Sequence, residues 1–265
     1  ITIAAAFLQN LRSAAQKHLK AVMGTTGATF VRFGFGLPFA LIYVAGLAMA
    51  GNALPSPNAT FFAWMSVGAF SQIGATFLLI HLFSFRNFAV GTAYSRTEPA
   101  QAALFALMFF GERLSVGAVA AIAISVFGVM LISVAHMPMN WRNLVSSVLT
   151  RNALIGLASG TLFGIAAVAY RSASLSLGGP NFIVQAAYTL AWTIALQTVA
   201  MTLWRAWKDR AEFGRIGRAW KVSLFTGFVG ATASFGWFTS SPPTSTPASR
   251  SRGISTRRTR ARSAT

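Results

Sequence analysis

FAVGTAYSRTEPAQAALFALMFFGERLSVGAVAAIAISVFGVMLIS, residues 88–133, holds two apolar runs joined by the polar elbow Gly111-Glu112-Arg113. At ~1.5 Å of rise per residue, about 20 apolar residues cross a ~30 Å hydrocarbon layer, and each run has that length. The first run carries Arg96, Glu98 and Pro99 near its middle. A charge at that depth costs roughly 2.5–3.5 kcal/mol on insertion scales, so it needs a partner or water, and it marks a functional candidate.

The rest of the 265-residue chain agrees with a lipid environment. It is 54% hydrophobic and 10% charged, against about 25% charged for a soluble domain. Without cysteine it has no disulfide, thiolate metal site or cysteine nucleophile, and His18, His81 and His136 lack metal-ligand spacing. Neither a metal nor a cofactor is expected. The formal charge of +18 would suggest nucleic acid were the basic residues clustered on a fold. Instead, six of the 22 fall in the last 16 residues, and most others border apolar runs, where they set topology. Nucleic acid is therefore not an expected partner.

Eight spans are predicted. Residues 1–17 form the first, with Gln9, Asn10 and Arg12 inside it, and 26–50 the second, with Arg32 and a kink at Pro38. The turn GNALPSPN (51–58) leads to a third span at 60–83, bearing Gln72 and His81. The fourth and fifth lie in 88–133. The polar stretch 136–152 separates a first five-span unit, 1–135, from a second unit, 153–240. Span six (153–173) carries Gly156, Gly160 and Gly164 at four-residue spacing, a ridge that lets another backbone approach closely. Span seven (181–204) places Gln185, Tyr188 and Trp192 near one face. The basic loop 205–221, with Trp207 and Trp220, leads to span eight (222–240). Residues 240–265 are rich in Ser, Thr, Pro and Arg, and read either as a lipid-touching basic tail or, preferentially, as out-of-frame translation. Residue 1 is Ile within an apolar run, so the start is also expected to lie upstream.

The loops after spans one, three, five and seven hold nearly all the loop arginines and lysines, whereas the other side has Arg113, with Arg171 near the end of span six. Positive-inside logic places the first set in the cytoplasm. Glu98 is the one acidic residue within a span. Pro99 disfavours helical geometry there and frees a carbonyl, that of Ser95, a local break of the kind on which secondary transporters build midplane sites. Arg96 and Glu98, two apart, project to different sides of a helix, so their partners are expected from other spans: Arg12 or Arg32 for Glu98, a carbonyl or solute carboxylate for Arg96. Tyr94, Gln72, Gln185 and Tyr188 complete the candidate pathway. Glu112 is expected to cap the elbow or sit at the interface, and His81 to sit at the interface.

The segment 94–133 resembles the EamA-type repeat of the drug/metabolite transporter superfamily. The resemblance rests on Glu98-Pro99, Ala102-Ala103, Phe109-Phe110-Gly111-Glu112-Arg113-Leu114-Ser115, Gly117 and Gly128-Val129. It implies an all-α polytopic membrane protein with eight helices of a ten-helix form built from two five-span inverted repeats. It also implies a multi-pass transporter of small organic solutes in the cell membrane, not an enzyme. A coupling proton on Glu98 is a further expectation, because desolvation favours the neutral acid; a homodimer is left open. Spans nine and ten would be missing, so the rival reading is a truncated, non-transporting protein or partner subunit.

Overall fold

The structure, a computed structural model, describes residues 2–85, 88–111, 116–134, 149–179 and 181–240. Ten helices cover them: α1 (Thr2–Gly34), α2 (Leu37–Met49), α3 (Ala59–Leu82), α4 (Phe88–Ser95), α5 (Glu98–Phe110), α6 (Val116–Val134), α7 (Arg151–Ser176), α8 (Phe182–Lys208), α9 (Ala211–Arg218) and α10 (Trp220–Ser240). No strand occurs among the described residues.

Among the described residues, four helical runs are long and apolar enough to cross a membrane: Ile3–Met49, Ala59–Leu82, Arg151–Ser176 and Phe182–Lys208. The first is not a single crossing. Gly24 adopts φ 75°, ψ −179°, a conformation open essentially to glycine alone. The Gln16 side-chain amide reaches the carbonyl of Ala28 at 3.1 Å. Twelve residues of straight helix would separate those groups by about 18 Å, so the chain reverses at Gly24 into two antiparallel legs. The first leg therefore runs to 23 rather than 17 and takes His18 and Lys20 into the helix. It would be about 33 Å long at 1.5 Å per residue.

The exterior is rich in large apolar side chains, and polar side chains are buried among the apolar ones of the core. Phe70 and Ile124 are 58% and 73% exposed, while Thr189, Ser159, Gln197 and Thr226 are fully buried. An apolar exterior around a core with polar residues suits a hydrocarbon surround. Within the bundle, α3 packs along α7, α1 along α10, and α2 along α8, while α4 and α5 both lie on α7.

The glycine ridge of α7 makes the last of these contacts possible. A Cβ on Gly156 would stand 2.1 Å from the carbonyl oxygen of Gly91, and one on Gly164 would stand 3.1 Å from the amide nitrogen of Ala102. Both halves of the fourth span thus lie directly on the ridge. The weaker ridges pack too: Gly68 receives the Tyr170 ring, and Gly227 lies against the backbone of Phe35.

The two ends of the bundle differ. At one end, Asn58 caps α3 and donates to the Ser176 carbonyl at 2.7 Å, and Asn181 caps α8 and donates to Asn52 at 2.8 Å. The other end is basic. There 205–221, expected as a loop, contains the short amphipathic helix α9. It buries Ile216 against Leu19, Met23 and Phe30 and leaves Arg215 and Arg218 outward. Trp204, Trp207 and Trp220 are exposed at this end, with Lys208 over the first two rings and Lys221 over the third. His81 stacks on Phe77 and meets the edge of Phe85, also at the basic end. Gly111, at φ 62°, closes α5 as a left-handed cap, as an elbow glycine should. Glu112, Arg113, most of 136–152 and the tail from 241 lie outside the described residues.

Candidate functional site

Two spans are broken at proline, and the charged residues collect at the breaks. Pro99 has no N–H to give the Ser95 carbonyl, and its ring disfavours helix at the residue before it. The helix accordingly stops at Ser95 and restarts at Glu98. Backbone bonds from Arg96 to Ala93 (3.0 Å) and from Thr97 to Tyr94 (3.1 Å) tighten the last turn, and the Thr97 hydroxyl donates to the Tyr94 carbonyl at 2.7 Å. The Ser95 carbonyl oxygen would lie 3.2 Å from a Cβ on Gly160, so the middle glycine of the α7 ridge leaves room for it. Beside it, the Ser95 and Ser159 hydroxyls meet at 3.3 Å, and Ser159 donates to the Ala75 carbonyl at 2.9 Å. Arg96 follows the carboxyl end of α4, and Glu98 opens the amino end of α5. Each charge therefore opposes the partial charge of its helix end.

Pro38 makes the second break. The returning leg of α1 ends at Gly34, α2 begins at Leu37, and Phe35 and Gly36 bridge them against Gly227 of α10. Arg32 sits in the last turn before this break. Across the hairpin, Arg12 and Arg32 each lie four residues further from the turn than the bonded Gln16 and Ala28, so they stand opposite one another. A Cβ on Gly230 would be 3.3 Å from Cδ of Arg12 and 3.7 Å from Cγ of Arg32, so this glycine makes room for both stems.

Arg12, Arg32, Arg96 and Glu98 form one electrostatic group. Arg12 lies within charge–charge range of the other three, and Glu98 within range of all three arginines. Among the described residues, however, no ion pair within 4.0 Å joins Glu98 to any of them. Arg32 donates to the Thr76 hydroxyl at 2.7 Å and lies over the rings of Phe33 (5.4 Å) and Phe163 (5.8 Å). Arg96 donates to the Asn10 side-chain carbonyl at 2.9 Å. The Nε of Arg12 is buried without a hydrogen-bond partner.

Behind Arg32 lies a neutral network. Gln197 of α8 donates to Gln72 of α3 (2.8 Å), to the Ala69 carbonyl (3.1 Å) and toward the Tyr170 hydroxyl of α7 (3.2 Å). Tyr170 in turn donates to Gln72 at 3.0 Å.

Of the eight residues singled out in the sequence, the structure brings five into this region: Arg12, Arg32, Arg96, Glu98 and Gln72. The other three lie elsewhere. Tyr94 is buried with Val129 and Ala153, on the side where α4 meets α6 and α7. Gln185 bonds the carbonyls of Gly178 and Gly179 at the far end of the bundle, because it lies only one turn into α8. Tyr188 belongs to a ring cluster with Phe61 and Trp192. Helical spacing puts Gln185 and Tyr188 on one face, but the α8 residue that joins Gln72 and Tyr170 is Gln197.

Sequence reasoning missed Asn10, Thr76, Tyr170 and Gln197. Gln197 had a readable signal, an amide two-thirds of the way along an apolar run. Thr76 and Tyr170 are ordinary span residues that only the fold brings to Arg32. Glu212 was assigned to a loop, yet it is buried, forms an ion pair with Arg205 and accepts from the Gly27 amide at 3.0 Å.

The sequence matches the EamA-like transporter family over residues 1–134, just over half of the 265. No curated protein matches it. Apolar-surfaced helices with polar residues buried among them, two proline-broken spans with charges at the breaks, and this match lead to one conclusion: the chain belongs to the EamA-like transporter family and is a membrane transporter of the drug/metabolite transporter kind.

Proposed function

We propose that the chain carries a small organic solute by alternating access, with Arg12, Arg32, Arg96 and Glu98 on the solute path and a proton on Glu98 as the coupling ion. The supporting observation is that four charged side chains from three spans converge at broken helices within direct ion-pairing distance of none of their opposite charges. A purely structural ion pair would be expected to close directly, because its attraction must repay the desolvation of both charges. A carrier instead keeps such groups available to a ligand. Rocking would involve the contacts of α3 on α7 and of α1 on α10, where the 1–135 and 153–240 units meet. On this reading the basic end faces the cytoplasm of a cell-membrane protein, which its arginines, lysines and tryptophans support.

Glu98→Gln in reconstituted liposomes tests the coupling. With a panel of labelled organic solutes, wild-type protein should accumulate at least one under an imposed pH gradient. The variant should lose that accumulation while keeping exchange of the same solute across a gradient-free membrane. Full gradient-driven accumulation by well-folded Glu98→Gln protein would remove the proton from Glu98.

A further inference from the structure

We infer that the solute is a small organic dianion, a dicarboxylate or a phosphate monoester, held between Arg12, Arg32 and Arg96. This rests on reading those residues as the solute path. The group carries three guanidinium charges and one carboxylate, an excess of two positive charges. The other described carboxylates are engaged elsewhere, Glu212 with Arg205 and Asp209 with Arg215, both at the basic end.

Helix ends do not remove the excess. The two breaks expose two carboxyl ends, of the returning leg of α1 and of α4, and two amino ends, of α2 and α5. At about half a charge each, the four cancel. The hydrogen bonds of Arg32 and Arg96 go to neutral acceptors, Thr76 and Asn10, and Arg12 Nε has none. Each arginine thus still has donors for anionic oxygens, and guanidinium forks suit carboxylate and phosphate alike.

A lipid headgroup is a poor source of that charge. Arg12 and Arg32 are 3% and 5% exposed, Arg12 lies halfway along its leg, and the two stems stand beside each other at Gly230. A solute that enters between the helices reaches them, whereas a headgroup at the membrane surface does not.

The test uses the full chain purified in detergent micelles, at fixed pH and ionic strength, with calorimetric titration of an isosteric series. Succinate carries two charges, its monoamide one, and its diamide none. Glycerol 3-phosphate supplies the phosphate arm, and its comparison with succinate identifies which dianion is preferred. Succinate or glycerol 3-phosphate should bind at least tenfold more tightly than the monoamide, and the diamide should not bind. Arg12→Gln and Arg32→Gln should each weaken the preferred dianion tenfold or more and bring it close to the monoamide.

Equal affinity across the series in wild-type protein would overturn the inference, even if neither arginine variant folds. So would unchanged dianion affinity in a folded variant. Liposomes that move only neutral or cationic solutes would leave the carrier reading standing and refute the dianion. Dianion binding with this charge dependence, but without flux of any solute, would uphold the dianion and refute the carrier.

Discussion

Replacing Glu212 with Gln should destabilise the bundle more than any other single change at its basic end. Arg205 is 1% exposed and pairs with Glu212, while its Nε and Nη1 have no acceptor among the described residues. The amide keeps the shape of the acid and can still accept from Gly27, so the change removes little except charge. A buried ion left without its partner costs about 3–5 kcal/mol. The Phe213 ring lies 5.5 Å from the guanidinium with or without the carboxylate, so it cancels from the comparison. The expected loss is therefore that full range, about 3–5 kcal/mol. Unfolding in detergent micelles, compared among Glu212→Gln, Arg205→Met and the double variant, provides the measurement. Arg205→Met should also destabilise, and the double variant should recover much of either loss, since neither charge is then stranded. If Glu212→Gln stays within about 0.5 kcal/mol of wild type, the typical range for surface changes, Arg205 is compensated by something other than this pair.

The glycines supply an internal contrast. Gly156→Ala forces a methyl against the Gly91 carbonyl and should cost about 1–3 kcal/mol by overpacking. Gly46→Ala meets nothing within 4 Å in a helix and should gain about 0.5–1 kcal/mol, so equal effects on melting temperature would refute the close packing of α4 on α7. Gln197→Met, similar in size but without donors, strips Gln72 and Tyr170 of a shared partner. It should cost about 1–3 kcal/mol in the same unfolding assay, and a neutral result would mean that the network is wet. For orientation, cysteines introduced at Ala53 and Ala211 probe opposite ends of a chain that has none. An impermeant thiol reagent should label the first in intact cells and the second only after permeabilisation; the reverse would show that loop charge does not set this topology.

The fold was largely legible because span length, proline and glycine act locally. Pro38 and Pro99 break their helices whatever surrounds them, and the Gly156, Gly160 and Gly164 ridge announced a close backbone contact that α4 and α5 provide. The reversal at Gly24 was harder to read. Lys17, His18 and Lys20 suggested a polar loop before it, yet the turn needs only one residue with positive φ. Polar residues near a span end tolerate the helix as well as the loop. Helix α9 was hidden by its charge: Arg210, Arg215 and Arg218 read as loop, although Glu212 and Ile216, four apart, share the face that docks on α1 and α8.

The site was legible only in its charges. Arg12, Arg32, Arg96 and Glu98 stand out because a cation or carboxylate within an apolar run is costly wherever it lies, so sequence alone marks it. Their neutral partners carry no such mark: a threonine or tyrosine within a span is cheap, and whether it faces an arginine depends on helix rotation and depth. From sequence alone, Gln185, Tyr188 and Gln197 are therefore equal candidates along one span. Neutrality also limits what those partners can do. Thr76 and Asn10 orient Arg32 and Arg96 without neutralising them, and Gly230 makes room for the stems of Arg12 and Arg32 without contributing a polar group. Had the arginines served only to lock the spans together, carboxylates would be the expected partners, as Glu212 is for Arg205 in the same molecule. The protein thus contains both solutions to a buried guanidinium, a closed ion pair at its basic end and an orienting neutral bond at its broken helices. Only the second leaves the charge free to act on a ligand.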